Sequence, residues 1–220
     1  MNESLNIRDF HQRLINFKPE RFHLSRCLAC YSAAIAIAEE ELMTLAISRG
    51  KQFGVTYDQF YEVILQSYLF LGFPRMLLAA ENLDLIMPNR TERTETALCV
   101  ETEYHTWYEN GERLCQRIYG DAFEPLKAKV QPMAPEIFDW MILEGYGKVL
   151  SRPGLDIGIR ELSIVAFLIA ENRPKQLRSH MQGAINVGVS MEHLQVVITD
   201  LGEAVGDGFR SATAIIEQLS

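Results

Sequence analysis

Two ionisable side chains in the carboxyl-terminal half stand on helix faces that otherwise carry apolar residues. In residues 158–170, GIRELSIVAFLIA, the positions after Leu162 are apolar nearly all round, the pattern of a buried helix. Glu161 precedes Val165 and Leu168 by four and seven positions, so it faces the packed side. In residues 172–188, NRPKQLRSHMQGAINVG, one stripe holds Leu177, Met181, Ala184, Ile185 and Gly188. His180, three after Leu177 and four before Ala184, lies on that stripe. An antiparallel hairpin turning near Glu171-Asn172 puts Glu161 about ten residues before the turn and His180 about eight after it. At about 1.5 Å of rise per residue, those heights are roughly 15 and 12 Å, so the two side chains are predicted to meet. An inward imidazole beside an inward carboxylate is costly unless paired, and the pairing tunes the imidazole for proton transfer. The structural alternative is a core histidine satisfied by its neighbour.

Other residues complete a chemical inventory. Arg160 and Arg152 are the cations nearest in sequence to Glu161, and either is a candidate anchor for a substrate carboxylate. A surface salt bridge for Arg152 and a helix-start ion pair for Arg160 are the competing roles. Cys27, Cys30, Cys99 and Cys115 are too few for a disulfide framework, and Cys99 and Cys115 have no metal-ligand spacing with any of the five histidines. Cys27 and Cys30, in the apolar run CLACYSAAIAIA, read as buried structural thiols.

These groups must be positioned by helices. Apolar spacing is helical almost throughout, giving about ten helices and an all-α fold. Thr56-Tyr57-Asp58-Gln59 is a predicted capping box, Asn172 a predicted cap ahead of Pro174, and Gly54, Gly120 and Gly188 predicted helix ends. The longest loops are expected around residues 87–96 and 151–156. The chain has 220 residues, 48% hydrophobic and 23% charged, enough for a substantial core. Its net charge of −8 shows no basic stripe for nucleic acid. The first residues are polar, so no signal peptide is expected. The longest nearly apolar run, residues 27–38, has 12 positions against the roughly 20 of a membrane span, so no membrane association and a cytoplasmic location are expected.

An internal repeat organises the whole. At a shift of 134 positions Arg26 falls on Arg160, Leu28 on Leu162, Ile35-Ala36 on Ile169-Ala170, Gly54-Val55 on Gly188-Val189, Val63-Ile64 on Val197-Ile198 and Gly72 on Gly206. The expected architecture is two tandem helical units about a pseudo-twofold, residues 1–96 and 97–220. In the first copy Cys27 replaces Glu161 and Ala46 replaces His180, so the fold does not itself require the ionisable pair.

Arg160-Glu161-Leu162, His180 and Gly188-Val189-Ser190, with the upstream residues 111–120 and 146–156, resemble the carboxymuconolactone decarboxylase-like family, which includes AhpD-like proteins. The AhpD-like branch implies a Cys-x-x-Cys four and seven residues before the histidine, where this chain has Gln176 and Arg173. The decarboxylase branch implies a cysteine-independent site: His180 as acid/base, Glu161 as its orienting partner, and Arg160 or Arg152 holding a carboxylate. The family's aromatic-x-Gly-x-Pro wall is matched by Phe70 to Pro74 of the first copy, making Phe70 and Pro74 substrate-lining candidates in a composite site. The resemblance further implies a small organic acid substrate, no cofactor or metal, and a homo-oligomer, with a trimer suggested by analogy to six-membered rings of single-unit relatives. Three readings stand at this point: a carboxy-lyase, a non-catalytic helical oligomer binding a small molecule or partner protein, and a thiol peroxidase.

Overall fold

The computed structural model describes residues 5–88 and 101–219, and every regular element among them is a helix. The protein is all-α. The chain divides into two compact units, one of residues 1–88 with 154–220 and one of residues 89–153.

The larger unit contains α1 (Ile7–Asn16), α2 (His23–Ile37), α3 (Glu40–Gln52), α4 (Tyr57–Ile86), α8 (Ile157–Ala170), α9 (Pro174–Asn186), α10 (Met191–Leu201) and α11 (Asp207–Leu219). The smaller contains α5 (Glu101–Tyr119), α6 (Phe123–Val130), α7 (Pro135–Trp140) and a π-helical segment, Met141–Leu150. In the smaller unit α5 crosses the π-helical segment closely enough that a Cβ on Gly147 would lie 2.0 Å from the Trp107 carbonyl oxygen. The Tyr119 and Tyr146 hydroxyls bond at 3.2 Å across the same contact. Of the expected 87–96 loop, residues 89–96 lie outside the described residues, as does Cys99.

Sequence explains the centre of the larger unit. α2 and α8 are apolar on nearly every face, so each must be surrounded, and they pack against one another. α3 and α4 cover α2, α9 covers α8, and the third helix of each series also crosses to the other: α4 lies on α8 and α10 on α2. The Thr56 capping box forms as predicted, with both reciprocal bonds. Gly54 (φ 85°) and Gly188 (φ 104°) close α3 and α9 in the left-handed region. Asn172 departs from its predicted role: it sits at φ 49°, ending α8, while Arg173 is the residue before α9 and provides no side-chain cap. A short amide side chain tolerates the left-handed region, which favours Asn172 for the turn.

Helix bounds recur at the shift found in the sequence. α3 begins at Glu40 and α9 at Pro174, α4 at Tyr57 and α10 at Met191, 134 apart in each case. Gly72 (φ 78°), which kinks α4, corresponds to Gly206 (φ 60°), which separates α10 from α11. Even α1 has a counterpart in number, since Ile7–Asn16 shifted by 134 is Met141–Leu150.

Two arginines at equivalent positions tie the crossed helices. On α2, Arg26 donates through Nε and Nη2 to the two Asp200 carboxylate oxygens of α10, at 2.7 and 2.8 Å. On α8, Arg160 donates to Glu62 Oε2 at 2.8 Å and Gln66 Oε1 at 3.3 Å, both on α4, and to the Leu155 carbonyl at 3.2 Å. Gln66 and Asp200 are again 134 apart. Arg160 is fully buried. The sequence nominated it as a substrate anchor, but its guanidinium faces Glu62 and Gln66, so the ion-pair alternative describes its geometry.

α4 is 30 residues long with a mean hydropathy of 1.5 over its most apolar 18 residues, so by length and composition it could reach across a bilayer. Counting uninterrupted apolar runs missed it, because Glu62 and Arg75 break the run. Glu62 and Gln66 face Arg160, and 28% of that apolar window is buried.

Half-buried His193 joins α10 to the start of α2: its ring stacks on Phe22 at 3.9 Å and its Nε2 lies 2.6 Å from Ser25 Oγ. Burial, then the nearby Arg26 charge, lowers its pKa.

Two stability tests follow from these contacts. Glu62→Ala, by stripping a carboxylate from a buried guanidinium, is expected to cost about 3–5 kcal/mol in urea unfolding. The folded chain holds a proton on His193 less tightly than the unfolded chain does. Its contribution to stability is therefore full above the ordinary histidine range and is lost as pH falls through the lower folded value. His193→Gln should flatten that part of the stability–pH curve.

Candidate active site

α8 and α9 form the antiparallel pair the spacing predicts, and they bring Glu161 and His180 together. His180 Nδ1 lies 2.9 Å from Glu161 Oε2, with Glu161 fully buried and His180 6% exposed. Bonding at Nδ1 leaves Nε2 as the ring nitrogen free for proton exchange. Glu161 Oε1 has no hydrogen-bond partner among the described residues.

Phe70, from α4, stands edge-on to the His180 ring at 5.4 Å between centroids and stacks on Phe167 at 6.1 Å. An aromatic from residues 57–86 thus meets an imidazole from residues 174–186. Glu62, Gln66 and Phe70 follow one another at four-residue intervals, so a single face of α4 carries the two groups opposite Arg160 and the ring against His180. That spacing was a usable signal for Glu62 and Gln66, which sequence reasoning passed over.

The remaining nominated residues are Pro74, Arg152 and Arg160. Pro74 is exposed, two residues beyond the Gly72 kink, in the first turn of the second segment of α4. Arg152 belongs to the smaller unit, in the turn after the π-helical segment, where its backbone N–H donates to the Val149 carbonyl at 3.3 Å. Arg160, one residue from Glu161, is committed to α4 as described above.

A second group of charges escaped the sequence reading. Arg75, on α4 beyond the kink, and Arg173, just before α9, both pair with the carboxylate of Glu171 at the end of α8. Arg75 donates through Nη1 to Oε1, and Arg173 Nη2 lies 3.5 Å from Oε2. Only the folded path of α4 brings Arg75 within reach, which linear spacing cannot show.

No cluster of three or more metal-ligating side chains occurs among the described residues. Cys27 and Cys30 are free and buried on α2. Burial pushes the Cys27 thiol up to about 12 and raises Cys30 well above its ordinary value. Thiols so disposed are poor nucleophiles, because the reactive form is the thiolate. In the native protein Cys27, Cys30 and Cys115 should resist maleimide at neutral pH and label fully in denaturant, as peptide mass mapping would show.

No family model matches the chain. Peroxisomal protein 2 of Schizosaccharomyces pombe is 24% identical over 139 residues, covering 63% of this chain and 64% of that protein. The 4-carboxymuconolactone decarboxylase of Acinetobacter baylyi is 40% identical over 53 residues, covering 24% of this chain and 40% of the enzyme. The chain thus spans less than two thirds of the length of either relative. These are distant, partial likenesses, and they favour the carboxymuconolactone decarboxylase-like resemblance that Glu161 and His180 carry.

Proposed function

We propose that the protein is an acid/base catalyst of the carboxymuconolactone decarboxylase type, acting without cysteine on a small lactone or keto acid. The observation that carries this reading is the buried His180–Glu161 pair, joined through Nδ1 at 2.9 Å with Nε2 left over. Loss of carbon dioxide sends an electron pair into a conjugated carbonyl of the substrate, and a proton must then reach carbon. In this reading the protonated His180 ring delivers it from Nε2, and Glu161 holds the ring and stabilises its charged form. The unpartnered Glu161 Oε1 supports the assignment: a buried acceptor left unsatisfied costs on the order of 1–3 kcal/mol, an expense that functional sites commonly retain. Phe70, backed by Phe167, supplies an apolar wall against the ring, which limits water near the reacting carbon.

A second reading is a helical assembly that binds a partner or a further copy of itself through its surface. It draws on Phe73, Leu77 and Leu85 of α4, exposed at 60%, 55% and 76%. A thiol peroxidase is disfavoured by the burial of Cys27 and Cys30 and by Arg173 and Gln176 at the positions a redox pair would occupy.

The deciding experiment follows carbon dioxide release from 4-carboxymuconolactone. The parent protein should turn over. His180→Ala should lose at least about a hundredfold in rate, and Glu161→Gln should retain intermediate activity. Turnover undiminished in His180→Ala would remove the site from the mechanism, and a parent without turnover would remove this substrate.

A further inference from the structure

We propose that Arg75 and Arg173, gathered on Glu171 at the α8–α9 turn, form the carboxylate-binding end of the site whose proton-transferring end is His180. The proposal rests on the acid/base reading above and supplies what Arg160, locked on α4, does not.

Charge balance favours an anion at this place. Two guanidiniums share one carboxylate, and each uses a single nitrogen to do so. Their remaining N–H groups meet no other acceptor among the described residues, so a planar fork stays open to a carboxylate. The side chain of Arg75 is 34% exposed and that of Arg173 63%, so solvent-borne anions can reach both. The amino terminus of α9 adds to the positive field, with Pro174 at its start, no acidic residue in its first turn and no side-chain cap. All of this occurs in a chain of net charge −8.

The cluster is also aimed along the site. Leu177 and His180 share one stripe of α9, and Arg173 immediately precedes the first turn of that helix. Seven residues correspond to about 10 Å of helix, and side chains lean toward the helix amino terminus, which brings the imidazole toward Arg173. On α4, Arg75 follows Phe70 by five residues, and the Phe70 ring touches His180. A cationic end, an apolar wall and a proton-transferring end are therefore arranged in series, which suits a small organic acid and not a lone inorganic anion.

The repeat provides an internal control. Shifted by 134 positions, Arg75, Glu171 and Arg173 correspond to Phe209, Ile37 and Glu39. The arginine cluster is thus absent from the copy that also lacks the histidine and its carboxylate partner. The groove that Glu39 lines sets Arg8 and His11 beside Glu39 and Glu41, without a pair of guanidiniums on one carboxylate.

The test titrates the full-length protein with glutarate and follows the His180 ring by NMR, with neutral glutaramide as the probe lacking charge. Glutarate, and not glutaramide, should shift the ring resonances. Arg75→Gln/Arg173→Gln should weaken binding roughly ten- to a hundredfold, the loss of charged hydrogen bonds. Arg178→Gln, an exposed arginine of the same helix bonded to Gln218, should change nothing. Arg173→Gln alone leaves Arg75 on Glu171 and carries the test if the double variant does not fold. A ring that ignores glutarate, or binding unchanged in the arginine variants, overturns the proposal. Binding lost in those variants beside a parent that releases no carbon dioxide would keep the anchor and discard the decarboxylase reading. In an active parent, the variants should raise KM by the same factor and leave kcat within about twofold.

Discussion

A guanidinium cut off from water has to be given its counter-charge by the fold, and Arg160 sets the larger unit in that way. Its partners, Glu62 and Gln66, lie one turn apart on α4, so satisfying the arginine fixes both the height and the rotation of α4 against α8. Gln66 closes the contact in the other direction, donating from Nε2 to the Arg160 carbonyl at 3.2 Å. Once that register is fixed, Phe70 has no choice of neighbour: one turn beyond Gln66, it is delivered to Phe167 and His180. The meeting of Phe70 with His180 is thus a by-product of an ion pair formed by other residues of the same α4 face.

The other half of the unit solves the same problem with different residues. Arg26 on α2 meets Asp200 on α10 in a bidentate pair, with burial raising the Asp200 pKa and the bond to Asp200 raising that of Arg26. Close backbone approach supplies the remaining constraint. A Cβ on Gly208 would stand 1.8 Å from the Ile169 carbonyl oxygen, so α11 can lie against the end of α8 only with glycine there. That end of α8 carries Glu171 and opens the turn into α9.

What could be read without the structure followed from local periodicity. The α8–α9 hairpin, its inward Glu161 and His180 and their similar heights are all consequences of 3.6-residue spacing and a short turn. The buried nature of Cys27 and Cys30 was legible for the same reason, and so was the Thr56 capping box. The pairings that were not legible involve partners distant in sequence. Arg160 is 98 residues from Glu62, and Arg75 is 96 from Glu171, so neither pairing leaves a periodic trace. The composite contact of Phe70 with His180 was accessible only through the repeat, and Pro74, carried along by the same motif, proves to be on the surface. Asn172 shows the local limit: cap and left-handed turn residue are chosen from the same short polar side chains, and composition does not tell them apart.

The recurrence of elements within one chain has a consequence for how such a protein can change. In an assembly of two identical chains every substitution is made twice, and Glu62 could not be placed opposite one arginine without also being placed opposite the other. Here the position equivalent to Glu62 holds Val196, and Arg26 pairs with Asp200 and donates from Nη1 to the Arg21 carbonyl at 3.2 Å. Each half is free to accept residues that its counterpart would reject. The histidine with its carboxylate occurs at one of the two places, while at the shifted positions Cys27 and Ala46 are buried. A substitution in one stretch therefore changes the packing there without being repeated at the position 134 residues away.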